Sequence, residues 1–558
     1  EIVEKTGAKI NIDDDGTVTL RRDGRKRILT IGQGMQRRTW WLPDRFGAYK
    51  GGMLRVESLL SGSAGVLIGD PNSPATFGDY LNERMSIVAL MGNNSSLTGN
   101  VTLFGGELFL GNANALGTGS LIVNGMTLPT EWQFNDGLSP APTLSAHGGL
   151  TINNNIVLNT RLDVAGSSNL DLNGLISGPG QLYLRNGATV TLTAGNTGFA
   201  GGIYIGSSSA LWVGHDLATG TGPLSFGYGS GSYVYFETAN PVIGGLVSGP
   251  DDYSYLYTNQ ENTRLTVNQS FDSIFKGAIN ADEPGLRLVK AGSGTLHWQS
   301  GYFDPWIGVS EPGLPGSPSV SLEVQGGRLI LGGGFYSYES ESTFWVRTGG
   351  TLALDNSWLY NPIVLEPGAR LAGSGFFENA SVGSGAILSP GLAGLDEIGT
   401  LNFSHLELDP GGILEWHIQN PNADRGVGYD HIEIYGMAQT LVINATSEAP
   451  FSLKIISLNT GGSAGLVSGF DPSQSYAWSL FKFDALSGGF DPAKFAIDTS
   501  GFANSLSFNG VDDGFFSLSL SGDHIHLNFT AVPEPSTYAL MGLGLAFIGW
   551  TVWRRRRA

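Results

Sequence analysis

The sequence predicts an all-β protein, built as a parallel β-helix of short stacked strands, and three observations support this fold class. Glycine accounts for 83 of the 558 residues and charged residues for only 14%, a composition that cannot supply many helices. Apolar residues at 41% and aromatic residues at 10% are too frequent for a disordered chain. Short segments that alternate apolar and polar residues recur between glycines, as in Glu107–Leu110 and residues 328–331.

An internal repeat indicates the order of the strands within one coil. Residues 92–122 and 195–225 align with one small gap, and each runs from a Gly-Asn turn through three short strands punctuated by glycine. Asn93 and Asn196 fall at equivalent turns, where we expect their side chains to stack or to cap the backbone. A sandwich would have longer strands, and a propeller would need about 40–50 residues per four-stranded blade. We therefore favour a solenoid whose coils lie about 4.8 Å apart.

Several segments match the unit of a known repeat family. Gly292 begins the sequence Gly-Ser-Gly-Thr-Leu, Gly195 begins Gly-Asn-Thr, and Gly201 and Gly202 form a Gly-Gly pair before a strand. Over roughly residues 85–450, the chain resembles the autotransporter-associated β-strand repeat of bacterial surface proteins. The resemblance implies a right-handed parallel β-helix of the passenger type.

The C-terminal end combines three parts in order. The first is a motif of Pro533, Glu534 and Pro535, and the second is an uncharged apolar run from Tyr538 to Trp553. The third is a basic cluster, which we expect to act as a membrane stop on the cytoplasmic side: Arg554, Arg555, Arg556 and Arg557. A helix over the apolar run would reach about 24 Å, against ~30 Å for a bilayer core, and we expect a short transmembrane helix.

These three parts closely resemble the PEP-CTERM sorting signal. The resemblance implies that an exosortase, a membrane protease-transpeptidase, acts at or near Pro533, Glu534 and Pro535. The precursor would be anchored in the inner membrane by the helix, and the processed protein would then reach the cell surface or extracellular matrix. The alternative is an ordinary C-terminal anchor helix.

Composition separates the ends of the chain from its body. Residues 51–550 hold 15 basic and 42 acidic side chains, so we expect no nucleic-acid partner. Residues 4–18 resemble half of an RNA-binding KH domain, but the Gly-x-x-Gly loop that would contact the nucleic acid does not precede them. The sequence begins at Glu1 without a leader peptide, and we therefore expect it to be a fragment of a longer chain. We expect four parts: an unassigned basic N-terminal segment open to interpretation as an unrelated fragment (1–50), a β-helix repeat domain (51–450), a C-terminal β cap region (451–530) and the sorting signal with its transmembrane helix (531–558).

Few residues suggest chemistry. The chain has no cysteine, and His524 and His526, two apart on a predicted strand, are interpreted as a surface pair in preference to metal ligands. Residues 461–465 fit the Gly-x-Ser-x-Gly pattern of a nucleophile elbow, but they lie in a Gly/Ser-rich loop of a β protein. The acidic turns 13–15, 251–252 and 512–514 would allow weak calcium binding, although solvated turns are favoured. We therefore expect no cofactor.

One group of aromatic residues leaves two interpretations open. They would form either a sugar-stacking strip or, as we favour, a set of turn and core aromatics: Trp212, Tyr233, Tyr235, Tyr253, Tyr255 and Tyr257.

The features together predict an exported bacterial structural or adhesion protein of the cell surface or extracellular matrix, and not an enzyme. Its expected partners are an exosortase, the membrane before processing, and extracellular polysaccharide or cell-surface components. The alternative is a β-helix polysaccharide lyase or glycoside hydrolase, which would need carboxylates clustered in a groove.

Overall fold

The computed structural model describes the chain over nineteen stretches. These are residues 10–11, 18–23, 26–31, 53–56, 59–63, 65–68, 87–125, 141–146, 148–166, 168–227, 229–249, 252–299, 320–333, 336–337, 342–392, 398–435, 440–506, 514–532 and 535–556. Two compact units, Glu1–Leu322 and Glu323–Ala558, make up the chain, and each is described by itself. The prediction of a mostly β chain with parallel sheets and a C-terminal helix is confirmed.

The strands are short at the start of the first unit. They are β1 (Ile10–Asn11), β2 (Val18–Asp23), β3 (Lys26–Ile31), β4 (Met53–Val56), β5 (Leu60–Ser61), β6 (Val66–Ile68), β7 (Ile87–Leu90), β8 (Val101–Leu103), β9 (Glu107–Leu110), β10 (Leu121–Val123), β11 (Thr143–Ala146), β12 (Gly149–Ile152), β13 (Ile156–Leu158), β14 (Leu162–Ala165), β15 (Asn169–Leu172) and β16 (Ile176–Ser177).

The same spacing continues to the end of that unit. Its further strands are β17 (Leu182–Arg185), β18 (Thr189–Leu192), β19 (Ile203–Ile205), β20 (Ala210–Val213), β21 (Leu224–Phe226), β22 (Gly229–Phe236), β23 (Val242–Ile243), β24 (Leu246–Ser248), β25 (Asp252–Thr258), β26 (Arg264–Asn268), β27 (Ser273–Phe275), β28 (Ala278–Ala281), β29 (Leu286–Ala291) and β30 (Thr295–Gln299), followed by β31 (Val320–Val324) at the boundary.

The second unit has longer strands and ends in a helix. Its elements are β32 (Gly327–Gly332), β33 (Tyr336–Ser337), β34 (Phe344–Val346), β35 (Gly350–Leu359), β36 (Ile363–Leu365), β37 (Arg370–Val382), β38 (Ile387–Pro390), β39 (Thr400–Leu408), β40 (Ile413–Ile418), β41 (His431–Ile434), β42 (Thr440–Ile443), β43 (Phe451–Ser457), β44 (Tyr476–Lys482), β45 (Ala485–Ser487), β46 (Phe495–Gly501), β47 (Phe515–Ser521), β48 (His524–Thr530) and α1 (Pro535–Arg555).

Three sheets of the first unit share the strands in rotation. Their strand orders are β16-β13-β10-β8-β6-β2-β3, β24-β21-β19-β17-β14-β11-β9-β7-β4 and β12-β15-β18-β20-β22-β25-β28. Apart from the β2–β3 hairpin, the described pairings in these sheets are parallel. From β10 to β18 each coil contributes one strand to each of the three sheets in turn before the chain returns one coil further along. The described strands β6–β9 alternate between the first two sheets, and β19–β22 alternate between the last two.

A column of aliphatic side chains shows the period of the coils. Leu162, Leu182, Ile203, Leu224 and Leu246 are successive register partners in the second sheet, about 21 residues apart along the chain, and all are buried. Residues between them on each strand face outward, which is the alternation that the sequence predicts for strands buried on one face. The buried column stabilises the stack because each coil covers apolar surface of the next.

Buried asparagines at the turns join neighbouring coils. Asn94 Oδ1 accepts a hydrogen bond from the Leu60 N–H at 2.8 Å, and its Nδ2 donates to the carbonyl of Ala115 at 2.7 Å. Asn196 makes the same two bonds to the coils before and after it, at 2.8 and 2.7 Å. The sequence alignment pairs Asn93 with Asn196, and this is wrong by one residue, since Asn93 is exposed. The expected capping role is thus filled by Asn94.

We expect Asn196→Ala to lower the free energy of unfolding by about 2–4 kcal/mol. The substitution leaves one buried backbone N–H and one carbonyl without their side-chain partner, and each such group costs about 1–3 kcal/mol. Urea unfolding followed by circular dichroism measures the change. The matched control is Asn153→Ala, which removes an exposed asparagine and should change the free energy by less than about 0.5 kcal/mol. Equal effects of the two variants would contradict the assigned role.

In the second unit, a long strand can pair with one strand near its start and with a different strand further along. β37 pairs with β38 near its start and with β39 from Gly375 onward, both in parallel. β35 contains a bulge between Asp355 and Ser357, where Asn356 has a φ of 51°. Because the extra residue reverses the alternation, Trp358 faces outward and Leu359 inward.

Antiparallel pairing appears at the C-terminal end of the long sheet, which in the second unit comprises β32, β33, β35 and β37–β48. β48 lies between β44 and β47 and pairs antiparallel with both, so that Leu527 faces Trp478 on one side and Leu518 on the other. The strands β43–β48 fall in the predicted region 451–530, and its role as a cap stays a prediction.

Candidate functional site

The C-terminal helix α1 exposes apolar side chains on all its faces. It begins at Pro535, and proline suits the first helical turn because its missing N–H would have no partner there. The exposed apolar side chains are between 47% and 71% exposed: Leu540, Met541, Leu543, Leu545, Phe547, Ile548, Trp550, Val552 and Trp553. A helix with this surface is suited to an apolar partner.

The predicted transmembrane role of α1 is not confirmed. Within the described stretches, we find no helix of sufficient length and apolar character to cross a membrane. The run from Tyr538 to Trp553 corresponds to about 24 Å of helix, which is less than a bilayer core of ~30 Å.

The basic cluster begins in the last turn of α1. Arg554, Arg555 and Arg556 are exposed, and the guanidinium of Arg554 lies 4.9 Å from the ring centroid of Trp550. Arg557 lies outside the described residues, as do Pro533 and Glu534. Cations at a helix C-terminus are favoured by the helix dipole, so the cluster also stabilises the end of α1.

Comparison with known proteins identifies this end of the chain. A family model described as the PEP-CTERM protein-sorting motif matches residues 531–557. The chain therefore carries a PEP-CTERM sorting motif. The motif indicates exosortase-dependent sorting of an exported protein, and exosortase is thereby its implied partner. No curated protein matches the chain.

The aromatic residues singled out in the sequence form two columns on the outside of the third sheet of the first unit. In one column the ring centroids of Trp212 and Tyr235 are 4.3 Å apart, and those of Tyr235 and Tyr257 are 5.3 Å apart. In the other, Tyr233 stacks on Tyr255 at 5.7 Å. These five side chains are half-buried and alternate with buried ones, so their interpretation as core aromatics is wrong. The side chain of Tyr253 lies outside the described residues.

Stacking restricts what these columns can bind. Tyr235 has a ring on each face, with interplanar angles of 20° and 16°, so neither face is open to a sugar. Burial raises the pKa of Tyr235 and Tyr257, and the neighbouring phenols and Asp282 raise both further. We conclude that the columns mainly hold adjacent coils in register, each stacked pair contributing about 0.5–1.5 kcal/mol.

A buried carboxylate in the first unit forms ion pairs with two arginine side chains. Asp163 is fully buried and contacts Arg161 at 2.6 Å and Arg185 at 2.8 Å. Arg161 in turn lies over the ring of Tyr183, 3.3 Å from its centroid. In the second unit the arrangement is reversed, since the one guanidinium of Arg347 contacts the carboxylates of both Glu323 and Glu366. Ion pairs of this kind satisfy the charge of each carboxylate and join successive coils.

His417 and Asp430 form a close pair in the second unit. His417 Nδ1 lies 2.7 Å from Asp430 Oδ2, and the carboxylate also accepts from the backbone N–H groups of Gly399 and His417. Burial raises the pKa of Asp430 to about 6. Burial alone would lower the pKa of His417, but the hydrogen bond and charge of Asp430 outweigh it and raise that pKa. Sequence reasoning missed this pair because the residues are thirteen apart and no motif marks them.

Three of the histidines on the long sheet, His431, His524 and His526, differ in their surroundings. The rings of His524 and His526 stack at 5.6 Å, and His524 Nδ1 lies 2.7 Å from a carboxylate oxygen of Asp523. His431 is buried, and its Nδ1 donates to the carbonyl of Ser479 at 3.0 Å. Burial lowers the pKa of His431 to about 4. Over the described stretches, no group of three or more His, Cys, Asp or Glu side chains is placed to hold a metal ion.

We expect His431 to make folding sensitive to acid. The unfolded chain takes up a proton near pH 6.5, but the folded chain does so only near pH 4, so stability falls as the pH drops through this window. The full loss is about 3 kcal/mol. Urea titrations at pH 7 and pH 4.5 should show His431→Asn losing less stability than the unchanged protein, since asparagine keeps an N–H donor for Ser479 and does not titrate. An identical pH dependence would show that His431 is not the group responsible.

The other sequence candidates are either structural or undescribed. Residues 459–465 form a tight loop in which Asn459 Oδ1 accepts from the Gly461 and Ser463 N–H groups, and Ser463 is not followed directly by a helix. The nucleophile-elbow geometry is therefore missing there. The acidic turns 13–15 and 512–513 lie outside the described residues, as does Asp251.

An exposed aromatic cluster escaped the sequence reasoning. Counting alternate residues from the buried Leu352 and Leu354 predicts that Trp358 faces the core, but the bulge at Asn356 turns it outward. The sequence Asp-Asn-Ser in mid-strand was the available signal, because asparagine tolerates positive φ.

Proposed function

We propose that this chain is a structural or adhesive protein of the bacterial cell surface or extracellular matrix, delivered there through its C-terminal signal. The observation that carries the proposal is the sorting motif over residues 531–557. The β-rich body ahead of it consists largely of parallel strands whose side chains alternate between core and solvent. Such a body is suited to scaffolding or adhesion.

The body is a right-handed parallel β-helix of autotransporter-associated repeats in this proposal. Three sheets visited in rotation and columns of partners about 21 residues apart support it. Right-handedness follows from the general preference for right-handed crossovers between parallel strands.

The exposed apolar surface of α1 associates with the membrane in the precursor, where an exosortase acts at or near Pro533, Glu534 and Pro535. Nine exposed apolar side chains and the basic cluster support this step. The processed body then leaves the inner membrane for the surface or matrix, where its partners are polysaccharide or other surface components.

The test is fractionation of cells with and without a functional exosortase. We expect surface or matrix protein in the first strain, and precursor retained with the membrane fraction in the second. The same distribution in both strains would show that sorting does not depend on exosortase.

We also propose that the protein is not an enzyme. The carboxylates of Asp163, Glu323 and Glu366 are held in ion pairs with arginine, which suits a structural role better than acid–base chemistry. Sugar-release assays on the purified full chain test this, and reproducible turnover of any polysaccharide would favour a lyase or glycoside hydrolase instead.

A further inference from the structure

An exposed aromatic cluster lies on the outer face of the long sheet in the second unit. Trp358 on β35 and Tyr435, which follows β41, are 48% and 42% exposed, whereas Phe376 on β37 is only 6% exposed. The ring centroid of Phe376 lies 6.2 Å from that of Trp358 and 5.6 Å from that of Tyr435. We call these three residues the Trp358 patch.

Exposure distinguishes the Trp358 patch from the tyrosine columns of the first unit, whose side chains are half-buried. The planes of Trp358 and Tyr435 are tilted by 53° and 46° to that of Phe376, and the ring of Tyr360 also lies 5.6 Å from that of Phe376. The exposure of Trp358 and Tyr435 shows that nearly half of each residue reaches solvent. Tyr235, by contrast, is stacked on both faces. The patch therefore offers an open aromatic surface to a ligand.

Polar side chains continue the same row of the sheet. Asn402 on β39 is the register partner of Phe376, and Glu433 on β41 is the partner of Asn402. Glu433 is ion-paired with Lys482. Burial raises the pKa of Tyr435, and the negative charge of the nearby Glu433 carboxylate raises it further. Hydrogen-bonding groups thus lie next to an open aromatic surface.

We propose that the Trp358 patch binds a neutral polysaccharide chain. Sugar rings have C–H faces that pack on aromatic rings and hydroxyl edges that hydrogen-bond to amides and carboxylates. Trp358 and Tyr435 together expose about 200 Å², far below the roughly 800 Å² that each partner buries in a stable protein interface. A net charge of −19 disfavours anionic polymers. This proposal rests on the proposed surface role, for which it names the ligand class.

Affinity gel electrophoresis of the full chain in mild detergent tests the proposal. The gels contain hydroxyethylcellulose, laminarin or dextran as neutral probes, or alginate as an anionic probe. We expect retardation by at least one neutral polymer and none by alginate. Trp358→Ala and Tyr435→Ala should each weaken that retardation at least about tenfold. Tyr235→Ala, a tyrosine closed on both faces, is the matched control and should change it less than about twofold.

Several results would overturn the proposal. They are retardation by none of the neutral polymers, retardation by alginate alone, or equal weakening in Tyr235→Ala. Light scattering measures the oligomeric state of the unchanged protein and of Trp358→Ala. If the unchanged protein is a dimer and Trp358→Ala is a monomer, the Trp358 patch binds a second copy of this chain and not a polysaccharide. Trp358→Phe keeps a ring at the site and should retain binding, which separates loss of the ring from loss of folding. All these variants should still reach the surface, so a sorting failure is distinguishable from a binding failure.

Discussion

Replacing Pro533, Glu534 and Pro535 together by alanine will leave the precursor unprocessed and reduce the surface form at least about tenfold. Proline fixes φ and lacks an N–H, and it disfavours helix in the residue before it. Pro535 begins α1, so alanines would allow the helix to extend backward over the segment that the exosortase must reach. Immunoblots of membrane and surface fractions measure the ratio of the two forms.

The control for this experiment is Thr530→Ala. Thr530 is exposed, ends β48 and lies just outside the matched segment, so its substitution should leave processing unchanged. Unchanged processing of the triple variant would favour an ordinary C-terminal anchor over a sorting signal.

Trp478→Ala should destabilise the second unit by about 4 kcal/mol, the largest loss of stability that we expect from one substitution. The side chain is 1% exposed, stacks on Tyr476 at 5.3 Å and contacts Trp416 at 5.8 Å. Its Nε1 also donates to the carbonyl of Pro421 at 3.0 Å. Truncating a buried tryptophan typically costs about 3–5 kcal/mol.

Hydrogen exchange of the β43–β48 amides in increasing urea measures this loss locally, which suits a repeat protein that need not unfold in one step. Phe515→Ala is the matched control because Phe515, on β47 in the same group of strands, is 53% exposed. We expect less than about 0.5 kcal/mol for it. Comparable losses for the two variants would contradict the packing described around Trp478.

The fold class and the sorting motif were predictable because both depend on local sequence. Glycine at turns and short alternating strands indicate a mostly β chain, but the aligned segments 92–122 and 195–225 start 103 residues apart and do not give the period of about 21 residues. The tail was readable because its three parts lie next to one another in the chain. What the residues of α1 contact in the cell was not predictable, because such partners lie outside this chain.

The predictions that were wrong depend on which of two adjacent residues in a strand or turn faces the core. Asn93 and Asn94 are adjacent and chemically identical, and only the structure shows that Asn94 points inward to Leu60 and Ala115. In β22, Tyr233 and Val234 are both apolar enough for the core, so alternation alone could not decide which one faces outward. No prediction was made for Trp358, where a bulge reverses the alternation of the strand. A slip of one residue moves every side chain to the opposite face.

Contacts between distant residues were also beyond sequence reasoning. His431 and Ser479 are 48 residues apart, and their hydrogen bond follows from the order in which β41 and β44 enter the sheet. The Trp358 patch joins residues of three strands for the same reason.

The most direct test of the account is the intact mass and C-terminal sequence of the protein recovered from the cell surface of a host that carries an exosortase. We predict that the surface form ends at or near Pro533, Glu534 and Pro535 and lacks α1 and the arginine cluster. A surface form that still ends in Arg557 and Ala558 would contradict it, because the C-terminal signal would then be a retained anchor.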